Sequence, residues 1–399
     1  MAKPMLVTVP GLLLALDLWP LGRLRRGAVG EPRPTWPGLV VEKIPLFALS
    51  AISALVTVWT QRTWGAVASL GAISWPWRFV NAAVSLVTYL VKTVWPSSIS
   101  CFVPHPATLH PLTSWIPLAI GSAVLLLGIS AWALRARRAH PYLLVGWVWY
   151  LVMIGPVIGI LQVGDQAWAS RYAYLPLIGV SLMAAFGTRD LIGRRPEARP
   201  VAAAFAVVVL AAFGVSAWAQ TRTWRASLTL FEHALRIAPD NWFAHNALGA
   251  VALDQGRLDE ARAHVEAAIR ILPSYADAND NLCIVSLDQN RPLEAVAAGR
   301  RALELRPRFP EAHANLAIAL LALGRWADAR EHLEEALRES PDLLRAELAL
   351  ATLLATAPDP ALRDPARAIE VALDAVRRTG SRDPRSLAVL ASAYAAAGH

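Results

Sequence analysis

Four prolines, Pro239, Pro273, Pro307 and Pro341, stand 34 residues apart, and the residues between them repeat in register. The first interval carries Leu248-Gly249, Gly256, Ala261 and Ala268; the second carries Leu282, Asn290, Ala295 and Ala302; the third carries Leu316-Ala317, Gly324, Ala329 and Ala336. A period of this length is that of a stacked helix-turn-helix unit. The small residues mark where paired helices approach closely, and the Gly or Asn accepts the tight turn between them.

Period and residue order together resemble the tetratricopeptide repeat (TPR). The reading places a half unit at 227–239, full units at 242–275, 276–309 and 310–343, and a degenerate unit at 344–383 with the insertion Ala357-Pro358-Asp359-Pro360. A last first-helix begins after Asp383-Pro384 and runs to His399 with no partner helix. Such arrays close with a polar capping helix, so the C-terminus is expected to be cut short.

Residues 1–219 belong to a different class. They hold 17 Lys+Arg against 6 Asp+Glu, whereas residues 220–399 hold 21 against 24. Thirteen of the 16 tryptophans also precede Gln220, and the whole chain is 55% hydrophobic with a mean hydropathy of +0.40. Arginines clustered between apolar runs set membrane topology and meet anionic headgroups, which excludes nucleic acid as the partner. The expected fold is all-α: polytopic membrane helices over 1–220, followed by a TPR α-solenoid over 221–399.

Apolar runs place spans at 5–19, 44–61, 115–134, 142–162, 172–187 and 201–220. The loops 20–43, 135–141 and 188–200 are arginine-rich and therefore cytoplasmic; 62–114, 163–171 and everything after Gln220 fall outside. Parity then makes Trp77–Trp95, interrupted by Arg78, Asn81 and Lys92, a helix that lies in the outer interface or re-enters it, rather than a span. Cys101 and Cys283 lie in different regions, giving neither a disulfide framework nor a thiolate metal site. No Gly-rich phosphate loop, nucleophile elbow or zinc spacing occurs.

Several segments carry a second resemblance: Ala2-Lys3-Pro4-Met5, Leu16-Asp17-Leu18-Trp19-Pro20, Glu42-Lys43-Ile44-Pro45, Tyr89-Leu90-Val91-Lys92, Pro104-His105-Pro106 and Ser170-Arg171-Tyr172-Ala173-Tyr174-Leu175-Pro176. In this order the membrane half resembles the bacterial relatives of the transmembrane and TPR protein O-mannosyltransferases, polytopic glycosyltransferases of the GT-C class. The resemblance implies transfer of a sugar, typically mannose, from a polyprenyl-phosphate carrier to a protein hydroxyl. It implies a bacterial inner (plasma) membrane location with the repeats on the periplasmic or external side. A protein or peptide acceptor would lie in the TPR groove, and the chain would hold no cofactor of its own; divalent metal dependence is left open.

That class places its catalytic acid on the first external loop, which by the resemblance lies upstream of Met1. Of the acids in the membrane half, Asp17, Glu31, Glu42, Asp190 and Glu197 fall on the cytoplasmic side or its boundary, leaving Asp165 as the one external catalytic candidate. Arg171, Lys3 and His105 are the candidate lipid-phosphate ligands. Arg171 suits phosphate because its guanidinium forks bidentately, though it could equally snorkel or pair with Asp165. Lys3 reads more simply as a solvated anchor, and His105 equally as a histidine held in a rigid turn. Asp17 is expected to cap its helix or pair with Arg23. His233, His245, His264, His313 and His332 show no ligand-like cluster and read as structural or exposed, so no metal site is assigned. Against the transferase stands a membrane-tethered TPR scaffold without chemistry, binding extended peptides in the concave groove.

Overall fold

The computed structural model describes residues 7–23, 35–63, 73–160, 165–380 and 382–398, and the chain forms two compact units, residues 1–239 and 240–399. The half unit at 227–239 belongs to the first of these.

The first unit runs through α1 (Val9–Leu18), α2 (Trp36–Glu42), α3 (Ile44–Thr63), α4 (Trp75–Val94), α5 (Leu112–Ala136), α6 (Pro141–Ile154), α7 (Pro176–Arg194), α8 (Arg199–Thr223) and α9 (Ser227–Ile237). Prolines punctuate it: Pro10, Pro37, Pro76, Pro141, Pro176 and Pro200 all occupy the first or second helical position, where the missing N–H costs nothing. Its core gathers Tyr89, Trp147, Tyr150, Ile154 and Ile158. At the α6–α7 crossing Gly146 and Gly179 stand backbone to backbone, and a Cβ on either would collide with the carbonyl of the other.

By length and apolarity α5 and the continuous stretch Pro196–Thr223 can each cross a bilayer; α2 and α3, bent by 52° at Lys43, could form a third span. None of the 18-residue apolar window of Pro196–Thr223 is buried, and only 11% of that of α5 is. These two helices are thus apolar and almost wholly unburied, candidate spans by length and composition. The other expected spans come out shorter or more polar. The run 142–162 stops as an α-helix at Ile154 because Gly155-Pro156 turns it into a 3₁₀ segment, and α1 has only ten helical residues. The run 172–187 starts at Pro176 and continues to Arg194, taking in Arg189 and Asp190, which dilutes its apolarity.

α4 is built inside out. Trp77, Arg78, Asn81, Ser85 and Tyr89 face inward, while Phe79, Val91 and Val94 are exposed. Arg78 and Asn81, which interrupt its apolar pattern, are thus bound within the protein, whereas Lys92 is half-buried and donates to the Ser97 and Ser98 carbonyls.

The second unit stacks helix pairs: α10 (Trp242–Asp254) with α11 (Leu258–Ile271), α12 (Ala276–Asp288) with α13 (Pro292–Leu305), α14 (Pro310–Ala322) with α15 (Trp326–Glu339), and α16 (Leu344–Thr356) with α17 (Pro365–Arg378), then α18 (Pro384–Ala396). The turns obey the period: Gly256, Asn290 and Gly324 take positive φ of 71°, 59° and 72°. One continuous core joins units two to four, with Leu316, Leu320, Leu333, Leu350 and Leu353 at its centre. No strand forms among the described residues, only an isolated bridge between Pro104 and Gln166.

Candidate functional site

Successive first helices (α10, α12, α14, α16 and α18) touch one another, and successive second helices do so less closely. A stack whose one layer is drawn together curves toward that layer, so the first helices line the inner face.

Along that layer the repeat substitutes amides and charges for apolar residues. Asn281 Nδ2 donates to Asn246 Oδ1 at 2.9 Å, Asn315 Nδ2 to Asp280 Oδ1 at 2.8 Å, and Arg345 to Asn315 Oδ1 at 2.7 Å, stepping across α10, α12, α14 and α16. Asn246 also reaches the Tyr275 hydroxyl, whose ring packs edge-on against the buried Trp242 at 4.5 Å. Asp280 and Asn315 are buried, Asn281 is half-buried and Arg345 exposed, so the ladder is anchored below and open above. Burial pushes the Asp280 carboxyl up to about 6, against the opposing pull of the Asn315 hydrogen bond and the Arg345 charge. Amides that supply donor and acceptor at repeat spacing match the alternating N–H and C=O groups of an extended peptide backbone.

In the first unit the loops around His105 and Ala167 form a polar knot over α4. His105 N–H donates to the Asp165 carbonyl and Ala167 N–H to that of Val103, both at 2.9 Å, joining the two loops. Asn81 Nδ2 binds the Ala167 carbonyl at 3.0 Å, and the Tyr89 hydroxyl bridges the N–H and C=O of Ala169, each at 3.1 Å. His105 is fully buried, with Nδ1 accepting from Ala107 N–H and the ring edge-on to Trp77. Burial and the nearby Arg78 push its imidazole down to about 4, so it is neutral at pH 7. Asn81 Oδ1, Ser85 Oγ and His105 Nε2 lie buried without a hydrogen-bond partner among the described residues. Arg171 sits at the exposed rim, reaching Gln166 Oε1 at 3.3 Å with its guanidinium over Tyr172.

Of the residues singled out from the sequence, then, Asp165 and His105 are joined through backbone, Arg171 lies on the rim of the same loop, and Lys3 falls outside the described residues. Asp17 is buried at the foot of α1, paired with Lys43 Nζ at 2.5 Å and Arg23 at 3.4 Å, and Arg23 in turn binds Glu42. Sequence reasoning passed over the amide ladder, although Asn281 and Asn315 stand one period apart at positions held by Ala247 and Ala349 in the flanking units.

Residues 212–276 and 285–343 match the model of the tetratricopeptide repeat. No curated protein matches the chain. Among solved structures, an O-GlcNAc transferase variant from Thermobaculum terrenum is 26% identical, over 34% of this chain and 26% of its own, at a TM-score of 0.32. YrrB, a TPR protein with an unusual peptide-binding site, is 20% identical over 42% of this chain and 84% of its own, at 0.33. A thermophilic TPR protein of Thermus thermophilus is 22% identical over 46% and 95%, at 0.37. The chain thus spans about a quarter of the length of the transferase it matches. The second unit is a TPR domain, a class of protein-interaction scaffold.

Proposed function

We propose that the protein is a membrane-tethered TPR receptor that holds an extended segment of another protein along its first helices. The observation that carries this reading is the amide ladder Asn246–Asn281 and Asp280–Asn315–Arg345, polar groups retained on the one layer of the stack that lines its concave side. A purely structural face would be filled with the Ala and Leu that occupy the remaining positions. The apolar, unburied α5 and α8 supply the tether. A photo-crosslinking side chain at Ala247, beside the ladder, should trap a protein segment in native membranes, whereas one at Arg301 on the second helix α13 should not.

A second reading refines the first: the membrane half is the C-terminal portion of a polyprenyl-phosphate-sugar-dependent protein glycosyltransferase of the O-mannosylation type, and the array presents its acceptor outside the bacterial inner membrane. It is favoured by where the segments that carry the resemblance lie. Leu16–Pro20 and Glu42–Pro45 meet in the Asp17–Lys43 pair, and Tyr89, His105, Asp165 and Arg171 share the loop knot. On this reading Arg171, with Lys3, would hold the carrier phosphate, His105 would shape the loop beneath, and Asp165 is the weak candidate for the catalytic acid. The test is affinity for a polyprenyl phosphate in detergent: Arg171→Ala should lower it, and unchanged affinity removes Arg171 from the site.

A further inference from the structure

The two ends of α5 have different surroundings. At its start Trp115 packs against Trp77 at 6.1 Å, and Trp77 meets the buried His105, so this end stands at the loops around His105 and Ala167. The helix then runs 25 residues, a rise of about 37 Å, to Ala136. Just beyond it Arg137 and Arg138 line a cavity of about 660 Å³ that is shared with the end of α1, the start of α2 and the start of α6. Trp19, Leu21, Trp36 and Leu144 belong to its apolar wall. Trp19 is held in place by Phe186, edge-on at 4.7 Å, whereas Leu21 and Trp36 are 60% and 46% exposed, so the wall opens outward.

The carboxylates near this end are already engaged. Asp17 is taken by Lys43 at 2.5 Å and Arg23 at 3.4 Å, Glu42 by Arg23 at 3.0 Å, and Asp190 by His140 and the Tyr142 hydroxyl at 2.7 and 2.9 Å. Arg137 and Arg138 are exposed and form no ion pair among the described residues. Two fixed positive charges therefore border an apolar hollow at the end of a helix long and apolar enough to cross a bilayer. We propose that the cavity binds an anionic phospholipid, its phosphate on Arg137 and Arg138 and the upper part of its acyl chains along Trp19, Leu21, Trp36 and Leu144. Guanidinium N–H pairs match phosphate oxygens, and indole rings favour the level where headgroup meets chain. The volume takes the headgroup and the first methylenes; the chains run on past the exposed Leu21 and Trp36 into the bilayer. The site stands at the opposite end of α5 from the loop that carries Arg171, so it is separate from the carrier-phosphate site considered above. By bridging the α5–α6 connection to α1 and α2, the lipid would tie these elements together. The proposal rests on the reading of the chain as membrane-tethered.

Native mass spectrometry of the full chain, titrated in detergent with dioctanoyl phosphatidylglycerol, tests this. One molecule should bind at saturation. Dioctanoyl phosphatidylcholine, whose phosphate is offset by its own choline, and inorganic phosphate, which has no chain to cover the wall, should both bind more weakly. Arg137→Gln with Arg138→Gln should weaken phosphatidylglycerol binding by about 30-fold, each arginine beside an anionic headgroup being worth about fivefold. Leu21→Glu should weaken it too, by setting a carboxylate in the wall. Arg135→Gln with Arg195→Gln removes the same charge from exposed residues that do not line the cavity and should leave the affinity nearly unchanged. Melting temperatures without lipid report that the variants are folded. Equal affinity for the two lipids, free phosphate bound as tightly as phosphatidylglycerol, or an equal loss in the Arg135 and Arg195 control overturns the site. Carbonate extraction separates this failure from that of the tether: a chain released from membranes removes the tether, whereas an embedded chain that fails the lipid test removes this site alone.

Discussion

Asn281 donates a hydrogen bond to Asn246 across the seam between α12 and α10, with 2.9 Å between Nδ2 and Oδ1. Asn246 is only 8% exposed, so Asn281→Ala leaves its carbonyl oxygen short of that donor, a loss of about 1–3 kcal/mol. Removing both amides together should cost less than the sum of the two single losses, since the double variant strands neither group. Urea titration of the four proteins that make up this cycle measures the coupling.

Gly146 and Gly179 predict the opposite kind of sensitivity. Each faces the other's carbonyl at the α6–α7 crossing, where a side chain has no room. Gly146→Leu should separate the helices and cost about 1–3 kcal/mol or more, as overpacking does. Gly187→Leu, near the end of α7 where a Cβ meets nothing within 4 Å, should be close to neutral. Thermal unfolding in detergent distinguishes the two.

Asp280 makes stability depend on pH. Its folded pKa of about 6 lies above its ordinary value of 3.8, so the folded state binds the extra proton between those values. Stability conferred by the protonated form is therefore full below about pH 4 and lost as pH rises through 6. Asp280→Asn keeps an oxygen for Asn315 and should stabilise by up to about 3 kcal/mol at pH 7.5, with the gain vanishing near pH 4. Melting temperatures at the two pH values give the sign directly.

Arg171→Ala should weaken polyprenyl-phosphate binding by roughly 10- to 150-fold, the effect of losing a charge-assisted contact of about 1.5–3 kcal/mol. Arg171→Lys should recover part, keeping the charge but not the planar fork. Arg171 is exposed at the rim, so neither change should alter the melting temperature.

The repeat was legible because its determinants are local and periodic: the small residues at close approaches and the turn residues at Gly256, Asn290 and Gly324 recur at one spacing, and all three turns adopt the positive φ that Gly and Asn tolerate. The first unit was less so. Apolar runs report burial or lipid without saying where proline stops a helix, as Pro156 does after α6. The polar residues of α4 read as marks of an interfacial helix, yet Asn81 and Tyr89 bind backbone of the loop at Ala167 and Ala169, more than 75 residues away in sequence. The contacts of His245 with His264 and of His313 with His332 escaped notice for a similar reason, since a 19-residue separation becomes a contact only once the hairpin is folded.

The receptor reading is tested most directly by site-specific photo-crosslinking of the full chain in native membranes, with adducts mapped by mass spectrometry. Positions on the first helices beside the ladder, Ala247 on α10 and Ala349 on α16, should give adducts to extended segments of other proteins. Arg301 on α13 should not, and Asn281→Ala with Asn315→Ala should suppress the adducts at Ala247 and Ala349 while leaving the fold intact. Adducts that are equally abundant from both layers of the stack, or that survive loss of both amides, would contradict it.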